Sequence, residues 1–126
     1  MTTVEQVMTH NPITAEIPGS RNDVLKLMVR HNLTGLPIIK KADGSLAGMV
    51  TRNDIFQHPE EDQLAMVMNR EPLVLSPQDT VETAAALMTT KRVTHFPVVE
   101  GGKLVGILTP TDLLNEVEKK ASNIPV

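Results

Sequence analysis

Cysteine, tryptophan and tyrosine are absent from this 126-residue chain, and Phe56 and Phe96 are its only phenylalanines. Without cysteine there are no disulfides, no thiolate metal sites and no cysteine nucleophile. So few aromatics leave no platform for stacking bases, and the core must be filled by Val, Ile, Leu, Met and Ala. The formal net charge is −3 and no long run of one sign occurs, which speaks against a nucleic-acid or membrane-surface footprint. Apolar runs such as Leu104 to Leu108 are far too short to span a bilayer. The opening MTTVEQVM lacks the apolar region of a signal peptide. A soluble, cytoplasmic protein with no nucleic-acid and no membrane partner is expected. His10, His31, His58 and His95 are too scattered for a metal set. No nucleophile and base stand at a readable spacing, so no enzyme is expected.

What the chain does contain, it contains twice. The stretch Val7 to Phe56 (VMTHNPIT…GLPIIKKADGSLAGMVTRNDIF) returns from Val67 to Leu114 as VMNREPLV…HFPVVEGGKLVGILTPTDLL. Met8, Pro12, Met28 and Pro37 fall against Met68, Pro72, Met88 and Pro97. After a loop shortened by two residues, Gly48, Thr51 and Asp54 fall against Gly106, Thr109 and Asp112. Two copies are too few for a solenoid, and one unit of about sixty residues is marginal alone. The expected arrangement is two repeats, 1–58 and 59–126, packed together as one compact module.

Each copy reads helix–strand–helix–strand–strand–helix, with residues 57 to 66 joining them. Thr3 to Gln6 has capping-box spacing, and Pro59 to Asp62 supply a Pro-started, acidic first turn before Leu64, Met66 and Val67. Short extended runs follow at Ile13 to Ile17 and Leu73 to Leu75. Ser20 to Asp23 and Asp79 to Glu82 both have capping-box form ahead of helical apolar spacing. Asp43-Gly44 and Gly101-Gly102 between β-rich runs predict tight hairpins, Leu36 to Ile39 with Leu46 to Val50 and Phe96 to Val99 with Leu104 to Leu108. Helices opened by Thr51 and Thr109 close the copies. The tail from Ser122 to Val126 is expected to fray. Met8, Met28, Met66, Met68 and Met88 fall at core-like positions.

Gly48 to Asp54 and Gly106 to Asp112 each run from an apolar strand into a helix start. Thr-x-x-Asp is a helix N-terminus signature, and Pro110 sits at the favoured first helical position, so capping explains much of the pattern. The same geometry also exposes backbone N–H groups and a positive dipole end to a phosphate. Asp54 and Asp112 suit a cis-diol such as ribose. Gly48 and Gly106 admit a ligand or a neighbouring backbone. Leu36, Pro37, Ile38 and Phe96, Pro97, Val98 offer apolar walls for a planar base.

The doubled Gly-Leu-Pro-Ile-Ile / Gly-x-x-Thr-x-x-Asp arrangement, from about Val4 to Val117, resembles a pair of cystathionine β-synthase (CBS) domains, the Bateman module. The resemblance implies a mixed α+β fold of two βαββα repeats packed sheet to sheet with pseudo-twofold symmetry and two clefts. It implies adenosine-type ligands (AMP, ADP, ATP or S-adenosylmethionine), no required cofactor, disc-shaped homodimers and regulation of a separate, unidentified protein. By position it implies that Asp54 and Asp112 hold ribose and that Thr51 and Thr109 contact phosphate. Thr14 with Leu36 to Ile38, and Val74 with Phe96 to Val98, would bracket the bases.

With the residues beside these, the first expected site is Thr14, Gly35, Leu36, Pro37, Ile38, Thr51, Arg52, Asn53 and Asp54. The second is Val74, Arg92, His95, Phe96, Pro97, Val98, Thr109, Thr111 and Asp112. The copies are unequal. Pro110 replaces Arg52, Val74 replaces Thr14 and His95 replaces Gly35, so the first site is the better equipped. The second would hold a phosphate only if Arg92 turns inward. The competing expectation is a structural dimerisation module with vestigial clefts.

Overall fold

The two hairpins form where Asp43-Gly44 and Gly101-Gly102 fall. The computed structural model of the chain describes residues 1–122; the expected frayed tail lies outside them except for Ser122, which ends the last helix. Strand β3 (Gly35–Lys40) pairs antiparallel with β4 (Leu46–Thr51), and β5 (Phe96–Glu100) with β6 (Lys103–Leu108). Gly101 and Gly102 sit at φ 57° and 78°, the left-handed values that a two-residue hairpin turn demands. Both hairpins shift register at equivalent places, between Ile38 and Ile39 and between Val98 and Val99. The duplication therefore reaches down to backbone irregularities.

Helices α2 (Arg21–His31) and α4 (Val81–Lys91) follow their caps. Ser20 Oγ accepts from the Asp23 N–H at 3.1 Å. In the second copy the cap is Thr80, whose Oγ1 accepts from the Thr83 N–H at 3.2 Å, one residue later than the expected Asp79 box. Asp79 is otherwise engaged, its carboxylate accepting from the Ser76 N–H at 2.8 Å. Helices α3 (Arg52–Gln57) and α5 (Pro110–Ser122) begin directly after Thr51 and Thr109.

The short elements at the repeat starts differ from expectation. Helix α1 (Val4–Val7) forms, with the Thr3 N–H donating to Gln6 Oε1 at 2.9 Å. The Pro59–Asp62 helix does not; a 3₁₀ turn at Leu64–Met66 takes its place. Backbone pairing decides this, because Asp62 and Gly19 carbonyls accept from the Arg21 and Leu64 N–H groups at 2.8 and 3.0 Å. The turn points Leu64 and Val67 inward and leaves Met66 57 % exposed, outside the core. Strand β2 covers only Ala15–Ile17, parallel to β3. Its counterpart reduces to Leu75, which bridges Val98.

Sheet orders are β2-β3-β4 and, with β1 (Thr9–His10), β1-β6-β5. Strand β1 from the start of the chain thus completes the sheet of the second repeat. The apolar cores cross over in the same way. One joins Val24, Met28, Leu36, Ile38, Val50 and Ile55 to Leu64 and Val67. The other joins Leu75, Ala84, Phe96, Val98 and Leu108 to Val4 and Met8. Gly48 and Gly106 permit this exchange. A Cβ at Gly48 would strike the Asn69 carbonyl, and one at Gly106 would lie 2.6 Å from Met8 Sδ and 2.9 Å from the Thr9 carbonyl. Of the two roles open to these glycines, the close approach of neighbouring backbone is the one the fold uses. Among the described residues no helix is long and apolar enough to cross a membrane.

Candidate functional site

Thr51 and Thr109 stand where β4 and β6 give way to helices, and both motifs close on themselves. The Thr51 N–H and Oγ1 donate to Asp54 Oδ2 at 2.8 and 3.0 Å. The Thr109 N–H and Oγ1 donate to Asp112 Oδ2 at 2.9 and 3.3 Å. Capping is therefore real in both copies. The two acids differ at the other oxygen: Asp112 Oδ1 accepts from Thr9 Oγ1 at 2.9 Å, a bond supplied by the crossed-over β1. Asp54 Oδ1 has no hydrogen-bond partner among the described residues. Helix α3 has only six residues, so its dipole offers a phosphate less than the sequence suggests.

Two cavities flank the junction of the repeats. The first, about 520 Å³, is bordered by Thr51, Arg52, Asn53 and Asp54 of one repeat and by Leu73 and Arg92 to His95 of the other. The second, about 500 Å³, is bordered by Thr109 and Thr111, by Asn11 to Ile13, and by Asn32 to Gly35 and Pro37. Each has the volume of a small-ligand site. Each also joins a strand end of one repeat to the entry segment of the other.

This regroups the expected sites. Gly35 and Pro37 border the cavity of Thr109 and Thr111, while Arg92 and His95 border that of Thr51 to Asp54. The cause is the exchange of entry segments, which lays Asn69 beside Met49 and β1 beside β6. Leu36, Ile38, Phe96 and Val98 are at most 1 % exposed, their side chains spent on the cores, and Pro97 is buried too. Thr14, Val74 and Asp112 border neither cavity, and Val74 is 48 % exposed. Sequence comparison missed Thr34, Asn69 and Leu73, which line the cavities. Their signal was only that they flank the repeated motifs.

His95 sits against Gly35, with ring atoms 3.0 Å from where a Cβ there would be. Its Nε2 pairs with Thr34 Oγ1 and its Nδ1 with Thr94 Oγ1, each at 2.8 Å, so equivalent threonines of the two repeats pin one imidazole. Burial holds its pKa below the ordinary 6.5. The unfolded chain then takes up a proton more readily than the folded one. Stability from this group is complete above pH about 6.5 and falls as the pH drops below that value. Thermal melts between pH 8 and 5 should show wild type losing stability on acidification more steeply than His95→Gln. Parallel curves would refute it.

The fold and its two junction cavities define a tandem pair of small α+β units with a ligand-sized cleft on each side. The chain belongs to the CBS domain family, whose model matches residues 4–61 and 64–119. It superposes on CBSX2 of Arabidopsis thaliana, solved in complex with AMP, with a TM-score of 0.90 at 27 % identity, covering 96 % of this chain and 99 % of that one. It superposes on the CBS domain pair of protein MJ0100, in complex with 5′-methylthioadenosine and S-adenosyl-L-methionine, with a TM-score of 0.87 at 27 % identity, covering 95 % and 98 %. It is 33 % identical to homoserine O-acetyltransferase of Methanocorpusculum labreanum over 91 % of this chain and 24 % of that protein. It is 33 % identical to inosine-5′-monophosphate dehydrogenase of Mycobacterium bovis over 87 % of this chain and 21 % of that protein. The chain thus spans less than a third of the curated relatives it matches.

Proposed function

We propose that the chain is a non-enzymatic regulatory module that binds an adenosine-type nucleotide (AMP, ADP, ATP or S-adenosylmethionine) at the junction of its repeats and signals to a separate protein. The observation that carries this is the first cavity, where Asp54, with one oxygen unengaged, and Arg52 and Arg92 meet on a half-apolar wall from both repeats. The acid suits a ribose diol and the guanidiniums suit phosphate. The similarity to AMP- and S-adenosylmethionine-bound CBS pairs supports the same ligand class. Because the cavities lie between repeats, a ligand that prefers one spacing of the halves shifts the population toward it. Phe56 and Leu114, equivalent positions on α3 and α5, are each 67 % exposed, which favours burial against a second copy in a homodimer.

A dye-based melting screen with AMP, ADP, ATP and S-adenosylmethionine tests the reading. A ligand at about a hundred times its dissociation constant stabilises by about 2.7 kcal/mol. For a chain this size the melting point rises by about 10 °C. Asp54→Ala should abolish most of that shift and Asp112→Ala little, since Thr9 and Thr109 already occupy both oxygens of Asp112. The ligand-induced shift is the readout, because either change also removes a cap worth about 1 kcal/mol. A flat screen would favour the alternative, a dimerisation module with vestigial clefts, for which Asp112 already speaks, both its oxygens engaged and its side chain outside the second cavity.

A further inference from the structure

Three residues border both cavities: Thr34, Arg52 and His95. Two of them are tied together, Thr34 Oγ1 to His95 Nε2 at 2.8 Å, and His95 is buried. Arg52 is exposed, and no hydrogen bond or ion pair holds its guanidinium among the described residues. It is the untethered member of the partition.

Exchanging the repeats shows why this matters. The equivalent of Arg52 is Pro110, and the equivalent of Arg92 is Asn32. A symmetric module would give each cavity its own pair of cations. Here Arg52 and Arg92 both border the first cavity, together with the carboxylates of Asp54 and Glu71. The second is bordered by Asn32 and by no Lys or Arg except Arg52. Burial pushes the His95 pKa below its ordinary 6.5 and so disfavours a charge on that ring.

The geometry points to one cation shared by two sites: Arg52 serves a phosphate in either cavity, so a nucleoside phosphate in the first weakens phosphate binding in the second. This rests on the nucleotide reading above. Arg92 gives the first cavity a second guanidinium fork, so it fills first. A second phosphate then meets a guanidinium already committed and the charge of the first ligand, with no other Lys or Arg bordering its cavity among the described residues. A ligand without phosphate does not draw on Arg52 and escapes the antagonism.

Calorimetric titration of the intact chain with AMP and with adenosine tests this. For wild type, two AMP steps should differ in dissociation constant by at least tenfold, and by more than the adenosine steps differ. Pro110→Arg, which restores the missing cation, should narrow the AMP gap at least fivefold. Arg52→Ala should lower the preference for AMP over adenosine at least tenfold at both steps. Equal AMP steps in wild type, or a gap unmoved by Pro110→Arg, would overturn the shared cation and leave the nucleotide reading intact. If neither AMP nor adenosine binds wild type, this inference falls, and the nucleotide reading falls with it only when ADP, ATP and S-adenosylmethionine also leave the melting point unmoved.

Discussion

Phe96→Ala should be among the most damaging single changes in the chain, costing about 4 kcal/mol and lowering the melting point by about 15 °C. Phe96 is fully buried, lies on β5 and packs with Val4, Met8, Leu75, Ala84, Val98 and Leu108. Truncation removes a whole ring from an otherwise aliphatic core, and the strand pair around it cannot collapse onto the void. Phe56→Ala is the internal control. That side chain is 67 % exposed, so its loss should change the stability of the monomer by about 0.5 kcal/mol or less. Chemical denaturation of both variants checks the pair; comparable losses would mean that the two rings share one environment.

Val4→Asp should cost about as much, because it places an unpaired carboxylate where no side-chain surface reaches water. What distinguishes this prediction is where the damage falls. Val4 lies at the start of the chain, yet its contacts are those of the second repeat, and its N–H donates to the Asp79 carbonyl at 2.7 Å. Hydrogen exchange should therefore lose protection in β5 and β6 before β3 and β4. Glu5→Ala, one residue along on the exposed side of α1, should do little. Earlier loss of protection in β3 and β4 would show that the entry segment supports its own repeat.

The exchange of entry segments explains both the stability and the site. Each half lends the other a buried pair, Val4 and Met8 in one direction and Leu64 and Val67 in the other. The same swap walls each cavity with residues from both halves. A change in the spacing of the repeats must then be felt by any ligand in either cleft, and the reverse holds by linkage. His95 and Arg52 sit on that seam, one pinned by two threonines and the other untethered.

Local chemistry was enough for the duplication, the hairpins and the caps. Gly101-Gly102 requires positive φ whatever surrounds it, and Thr51 to Asp54 closes a cap through bonds spanning three residues. Likewise the membership of Asp54 and Arg52 in one site follows from their adjacency in the chain. Distant pairings were a different matter. Met66 looked as apolar as Val67, and Phe56 as apolar as Phe96; only the packing of the 3₁₀ turn and of β5 separated them. Nothing within a repeat says that Thr9 will occupy Asp112, that Arg92 will face Thr51 or that a Pro-started acidic turn will yield to pairing with Gly19 and Arg21. Those outcomes depend on which half supplies the covering segment, a choice made by long-range burial and backbone pairing between residues about forty to about a hundred positions apart in the chain.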